Sequence, residues 1–266
     1  MNQQNFDILK ERIKNTGFPE SLEKELKAKM ETGEPKIQVK YPTKIGTDEI
    51  EATLNFRKSE QNDNYYFNNY QVAMKQENST TGALKQTFYV GRDNNYAFDE
   101  AYNLLNHRFV NKDLVNEVGE KYNGWSRLNF KETDVNGNYK IQSYGQGWRF
   151  DLQKALEKFP VIKELSNETD KAKLMDSLKK GNRQEVTLAQ DGVEKVGYVI
   201  TNPYRKVIIV TDENNQRLSM TQTAGQSESQ GENKSQGEKE NQKQNTEGTT
   251  QKNKPRNNKR HRQGIS

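Results

Sequence analysis

The chain has 266 residues, 30% of them hydrophobic and 30% charged, with a formal net charge of +5. It contains no cysteine, which excludes disulfides, thiolate zinc sites and cysteine nucleophiles. No basic segment followed by an apolar run opens the chain, and no window approaches the roughly 18 apolar residues that a membrane helix needs. We therefore expect a soluble cytoplasmic protein with no membrane contact.

The charge is concentrated in the last part of the chain. Residues 221–266 contain nine Lys or Arg and five Glu, a net charge of +4, which leaves +1 for residues 1–220. From Ser219 onward there is no apolar period, so this segment cannot bury enough apolar surface to offset its ordering entropy. We predict that residues 219–266 form a disordered polar tail.

Periodicity predicts the elements of the N-terminal half. Apolar residues at helical spacing indicate a helix over 6–13 and a second over 19–33, with Gly17 and Gly33 as the residues that end them. Alternating apolar residues then predict strands near 37–41, 50–56, 66–74 and 84–90, which would form an antiparallel sheet with one wet face.

The second half of the chain shows the same two kinds of pattern. A helix is predicted over 96–106, residues 110–121 are ambiguous, and a hairpin follows with its turn at Asn136-Gly137. Two more helices are predicted near 152–159 and 167–180. The stretch 183–211 then predicts a three-strand meander, since turn signals at Asp191-Gly192 and Asn202-Pro203 separate its alternating runs.

These elements predict an α+β fold made of two modules of short helices packed on antiparallel β-sheets, followed by the disordered C-terminal tail. The N-terminal α+β module spans 1–147, and a helix–helix–three-strand meander module spans 148–218. A helix that ends in glycine precedes a meander in both modules, which is compatible with duplication or with coincidence.

Several short motifs resemble the domain of unknown function 3945 of Bacteroidetes proteins and the companion region that precedes it there. In the C-terminal module these are 178–182, the strand at Val186 and Leu188, 191–192, 201–203, Val207 and 211–214. In the N-terminal module they are 16–18, 53–56, 87–89, 101–105, 110–112, 121–123 and 136–139. The resemblance implies a Bacteroidales source and residence on mobile or conjugative elements, and it carries over no catalytic residue.

Two sets of residues are candidates for nucleic-acid binding. Aromatic residues on a wet sheet face stack on bases while basic residues contact the backbone, and the alternative is that such aromatic residues belong to the core. The candidates for this stacking surface are Tyr65, Tyr66, Tyr70, Arg57 and Lys75. The second set lies in the tail, where six cations without any acid would bind DNA or RNA non-specifically or act only as a solubilising extension. These cations are Lys252, Lys254, Arg256, Lys259, Arg260 and Arg262.

No other motif predicts chemistry. His107 is expected at a helix end and His261 lies in the tail, so we expect no metal site and no cofactor. Residues 134–138 resemble the start of a calcium loop but lack its later glycine and glutamate, which favours a hairpin turn. Gly145-Gln146-Gly147 has neither the third glycine nor the lysine of a phosphate loop.

We therefore expect a non-enzymatic accessory or interaction protein that assists DNA handling on a mobile element through its basic tail and binds a protein partner through its folded modules. One alternative is a pure protein–protein module, such as a host-directed or inhibitory factor, with the tail as a spacer. A third possibility is an enzyme that uses carboxylates, which would require a deep pocket with convergent Asp or Glu.

Overall fold

The computed structural model describes residues 1–77, 82–91, 93–190 and 192–219. Groups of helices alternate with strand meanders along this part of the chain, and all of the described residues belong to one compact unit. Its α-helices are α1 (Gln3–Asn15), α2 (Glu23–Glu31), α3 (Phe98–Leu105), α4 (Leu152–Leu156) and α5 (Glu168–Lys179). The predicted tail lies outside the described residues except for Ser219.

The strands form three antiparallel sheets, each a simple meander in chain order. The first sheet contains β1 (Lys36–Ile45), β2 (Asp48–Lys58), β3 (Tyr65–Lys75) and β4 (Leu84–Tyr89). The second contains β5 (Val110–Val115), β6 (Lys121–Thr133) and β7 (Tyr139–Tyr144). The third contains β8 (Gln184–Gln190), β9 (Val193–Asn202) and β10 (Val207–Asp212). The α+β class predicted from the sequence is confirmed.

A helix that ends in a left-handed residue precedes each meander. That residue is Gly33 after α2, His107 after α3 and Gly181 after α5, with φ between +60° and +85°. This conformation turns the chain out of the helix so that the next strand can pack back against it. The helix-then-meander pattern that the sequence indicates twice therefore occurs three times in the described chain.

Two hydrophobic cores share the second sheet. The first core lies between α1, α2 and α3 and one face of the first sheet, and it includes Val110 and Leu128 of the second sheet. The second core joins α4, α5 and the third sheet, and it includes Phe109 and Trp125. Residues of the predicted N-terminal module thus contribute to both cores, and the boundary after residue 147 stays a prediction.

The C-terminal ends of α3 and α5 meet at a buried amide. Asn103 Nδ2 donates to the backbone oxygen of Lys180 at 2.8 Å and to Asn182 Oδ1 at 2.7 Å. Arg108 Nη1 in turn donates to Asn103 Oδ1 at 2.7 Å. These bonds satisfy a side chain that is almost completely buried, and they fix the two helix ends relative to each other.

Side-chain amides cap three strand ends. Asn5 pairs with the backbone N–H and C=O of Tyr65, and Asn94 pairs in the same way with Val115. Gln86 does so with Tyr139. Each amide supplies one donor and one acceptor, so it satisfies a strand end where no neighbouring strand does.

Candidate nucleic-acid interface

The outer face of the first sheet is polar and open, because the helices cover only its other face. Along β1–β4 the outward positions alternate with the buried ones. Six outward side chains are cationic, namely Lys36, Lys40, Lys44, Arg57, Lys75 and Lys85. Two are acidic, namely Glu49 and Glu51. This face thus carries a net charge of +4, whereas residues 1–220 as a whole carry +1.

The charges are not evenly neutralised across the face. Ion pairs join Lys40 to Glu51 at 3.6 Å and Lys44 to Glu49 at 3.2 Å. Lys36 and Lys85 have no ion-pair partner among the described residues. Cations that are exposed and unpaired remain available to an anionic ligand such as a phosphate backbone.

Two tyrosine rings stand on this face. Tyr66 is 51% exposed and lies opposite Arg57 across the β2–β3 pair, and Tyr89 is 63% exposed and lies opposite Asn69 across the β3–β4 pair. A ring that remains this exposed on a pleated sheet contributes little to the core, and its faces can accept a base by stacking.

A row of amides crosses the sheet beside these rings. Gln38 Nε2 donates to Asn55 Oδ1 at 2.8 Å, and Asn55 Nδ2 donates to Asn69 Oδ1 at 2.8 Å. A groove of about 370 Å³ runs over this row and is also lined by Lys36 and Arg57. At one end of the row the side-chain oxygen of Gln38 can accept a hydrogen bond from a ligand, and at the other end the NH₂ group of Asn69 can donate one.

The structure corrects the predicted stacking surface at Tyr65 and Tyr70. Their rings are only 2% and 0% exposed, and their hydroxyls donate to the backbone oxygens of Glu34 and Tyr96. Burial raises the pKa of both phenols. Strict alternation would place Tyr66 and Tyr70 on one face, but a bulge at Asn68 shifts the register, so Tyr66 points out and Tyr70 points in.

The remaining members of the predicted set lie on the exposed face but not together. Arg57 is beside Tyr66 and forms an ion pair of 2.6 Å with Glu60. Lys75 lies at the far end of β3, opposite Glu49. Sequence reasoning missed Tyr89, although its position directly after the buried Phe88 places it on the wet face by simple alternation.

Residues Lys252, Lys254, Arg256, Lys259, Arg260 and Arg262 lie outside the described residues. The tail-binding hypothesis therefore stays a prediction. The +4 face of the first sheet is a separate basic surface, which the sequence-level charge balance does not reveal.

The other short motifs have structural roles. His107 adopts φ +60° after α3, and its ring packs on Phe130 with centroids 3.9 Å apart. Asp134 Oδ1 accepts from the backbone N–H groups of Asn136 and Asn138, which is the geometry of a tight turn and confirms the hairpin interpretation. Within the described ranges, no cluster of three His, Asp or Glu could hold a metal ion.

Two partly buried carboxylates accept hydrogen bonds from the backbone, and one of them also from a lysine. Glu100 Oε2 accepts from Lys112 Nζ at 2.6 Å and from the N–H of Ala97 at 2.9 Å. Glu164 Oε1 accepts from the N–H of Thr187, while its Oε2 is buried without a hydrogen bond. Each of these contacts positions a helix start or a strand edge, so each carboxylate has a structural role.

No family model, curated protein or solved structure was found to match the chain. The resemblance to the domain of unknown function 3945 therefore stays a prediction. No helix in the described ranges is both long and apolar enough to cross a membrane. Function must accordingly be inferred from the surfaces described above.

Proposed function

We propose that this protein is a non-enzymatic accessory protein that binds single-stranded nucleic acid on the exposed face of the first sheet. The observation that carries the proposal is the combination of two exposed rings, Tyr66 and Tyr89, with six cations and only two acids on one open face. Stacking platforms flanked by basic residues bind single strands with little sequence preference.

The amide row suits the same ligand. A base that stacks on Tyr89 would lie beside the donors of Asn69, and the acceptor of Gln38 lies on β1 at the other end of the row. Base edges offer complementary donors and acceptors, but they are accessible only when the strand is unpaired. A duplex would present its phosphates alone to this face.

The basic tail would add a second, purely electrostatic contribution. Its six cations would increase affinity for any nucleic acid and make binding depend on salt. A cytoplasmic protein with such an arm and a single-strand face fits the DNA handling on a mobile element that the family resemblance implies.

The proposal is tested by fluorescence anisotropy of the full chain with labelled dT15, a mixed 15-residue RNA and a DNA duplex. We expect the single strands to bind more tightly than the duplex. The double substitution Tyr66→Ala/Tyr89→Ala should weaken single-strand binding by about 30-fold or more, since each of the two stacked bases contributes about 1–3 kcal/mol. Tyr204, 49% exposed on another element, provides the matched control Tyr204→Ala.

A charge series separates the face from the tail. Lys36→Gln/Lys85→Gln should lower the slope of log affinity against log salt by roughly 0.7 for each phosphate that is no longer neutralised. Lys24→Gln/Lys27→Gln removes the same charge from the exposed side of α2. A variant with its six tail cations changed to Gln measures how much of the affinity the tail contributes. Binding that depends only on the tail, with the tyrosine variant unchanged, would refute the proposed face.

A further inference from the structure

A second surface lies where α4, β10 and the segment after β10 meet. A pocket of about 290 Å³ opens there, and it shares no residue with the exposed face of the first sheet. Its apolar lining consists of Ala155, Phe159, Val207, Ile208 and Leu218. Its polar lining consists of Lys158, Lys206, Arg217 and Ser219. The pocket therefore combines an apolar floor with a cationic rim.

None of the three rim cations forms an ion pair with another described residue. This distinguishes them from nearby lysines, since Lys163 pairs with Glu194 at 2.6 Å and Lys154 pairs with Asp151 at 3.6 Å. Three unpaired cations around one small opening favour an anionic ligand that carries more than one negative charge.

The backbone holds Lys206 in place. It adopts φ +56° and donates its N–H to the oxygen of Pro203 at 3.0 Å, and its Nζ lies 5.7 Å from the ring centroid of Trp148. The indole Nε1 of Trp148 donates to the same oxygen of Pro203 at 2.9 Å. The β9–β10 turn is thus anchored on both sides, and the rim is preorganised on this side.

The residues that line the pocket favour a peptide over a nucleotide as the ligand. Four of the five apolar residues are aliphatic, and Phe159 is the one aromatic ring, so the pocket lacks a pair of faces between which a base could be held. The volume is at the small end of the range for ligand sites and suits one bulky apolar side chain. Carboxylates on either side of that side chain would lie near the rim cations.

We propose that this pocket binds an acidic segment of a partner protein, with one bulky apolar side chain on the floor formed by Phe159, Ile208 and Leu218 and with flanking Asp or Glu at Lys158, Lys206 and Arg217. The apolar contact supplies anchoring, and the charges supply register and steering. This assigns the expected protein partner to a surface that is separate from the nucleic-acid face.

The test uses the full chain and a fluorescein-labelled heptapeptide, Gly-Glu-Glu-Phe-Glu-Glu-Gly, in an anisotropy titration. We expect saturable binding that weakens about tenfold in Lys158→Glu/Arg217→Glu, since two exposed charge contacts become repulsive. Lys24→Glu/Lys27→Glu makes the same change of charge on α2 and should leave the affinity unchanged. Melting temperatures of all variants exclude unfolding as the cause.

Peptide variants test the pocket itself. Replacing the central Phe of the probe by Gly should reduce binding by at least about tenfold, because the apolar floor would no longer bury a Phe side chain. Equal binding of the Phe and Gly peptides would show charge attraction alone and would overturn the proposal. Displacement of the peptide by dT15 from a Tyr66→Ala/Tyr89→Ala chain would also overturn it, since the pocket would then belong to nucleic acid.

Discussion

The side-chain amide of Gln86 pairs with both backbone polar groups of Tyr139. Gln86 Oε1 accepts from the N–H of Tyr139 at 2.8 Å, and Gln86 Nε2 donates to its C=O at 3.2 Å. Asn138 Oδ1 accepts from the N–H of Thr87 at 2.9 Å in the same place. The β6–β7 hairpin is therefore attached to the edge of the first sheet through amides rather than through a strand ladder.

Gln86→Met should destabilise the protein by about 2–6 kcal/mol, because it leaves two partly buried backbone groups without partners and each costs about 1–3 kcal/mol. Urea denaturation measures the change. Gln71→Met, on the exposed face of the neighbouring strand, should change stability by less than about 0.5 kcal/mol. Equal effects of the two substitutions would show that the Gln86 amide contributes nothing specific.

Gly181→Ala should be much more destabilising than Gly33→Ala. Both glycines have positive φ, so alanine costs about 1–2 kcal/mol at either position. A Cβ on Gly181 would also lie 2.7 Å from the backbone oxygen of Phe109, whereas one on Gly33 would meet nothing within 4 Å. We expect a total of about 2–5 kcal/mol for Gly181→Ala by chemical denaturation. Similar destabilisation at both sites would mean that the α5 end can move away from Phe109.

Arg127 joins the second sheet to the third. Its guanidinium lies 4.9 Å from the ring centroid of Tyr204 and 5.7 Å from that of Tyr144, and it donates twice to Gln142 Oε1. Arg127→Ala should cost about 1–3 kcal/mol, given about 0.5–2 kcal/mol for each cation–π contact and the removal of packed methylene groups. Denaturation can be followed by the fluorescence of the two tryptophans, one of which, Trp148, stacks on Tyr204.

Arg127→Lys should restore less than half of the stability that Arg127→Ala removes, because an ammonium cannot make the planar contact in which the guanidinium donates twice to Gln142. Arg205→Ala is the matched control, since this arginine is exposed on the same turn as Tyr204 and its side chain forms no hydrogen bond or ion pair with the described residues. Full stability in Arg127→Lys would show that Arg127 contributes through its charge alone.

His107 should make stability depend on pH. His107 is exposed by surface area, but packing of its ring on Phe130 partly desolvates the imidazole and lowers its pKa from 6.5, so near this pH the unfolded chain binds more protons than the folded one. Stability is therefore expected to fall as pH decreases from about 6.5 through the lower, folded pKa. His107→Asn tolerates the left-handed backbone and should remove this component.

Urea denaturation between about pH 5 and pH 7 measures the effect as the difference between the native chain and His107→Asn. The chain has one other histidine, His261, and His261→Asn should leave the pH dependence unchanged. A pH dependence that survives in His107→Asn would assign it to other groups.

Most of the elements could be predicted because their signals are local. Gly17, Gly33 and Gly181 end helices, and apolar alternation defines β1 and β2 with their buried faces. In β9 the alternating apolar residue Val196 is 42% exposed and Val199 is buried instead, so alternation found the strand but not its buried face. The ambiguous stretch 110–121 contains β5, whose outward side chains make polar cross-strand contacts such as Asn111 Nδ2 to Asn123 Oδ1 at 2.8 Å. Such contacts replace the apolar alternation on which a sequence-based prediction depends.

The candidate site was predictable only in part. Tyr66 and Arg57 were found, but the bulge at Asn68 is set by pairing with β2 and cannot be derived from β3 alone. The charge of the face depends on which lysines share one side of a four-stranded sheet, and this follows from register. The pocket at Lys206 depends on the packing of α4 against β10, two elements that are far apart in the sequence.

The amides of Asn5, Gln86 and Asn94 also set how this protein ages chemically. Deamidation replaces the donating NH₂ group with an oxygen that only accepts, so the new carboxylate would face the backbone oxygens of Tyr65, Tyr139 or Val115. One hydrolytic event at any of these positions changes attraction into repulsion at a strand end. Hydrolysis of any one of these three amides should therefore appear as fraying of the strand end that it holds.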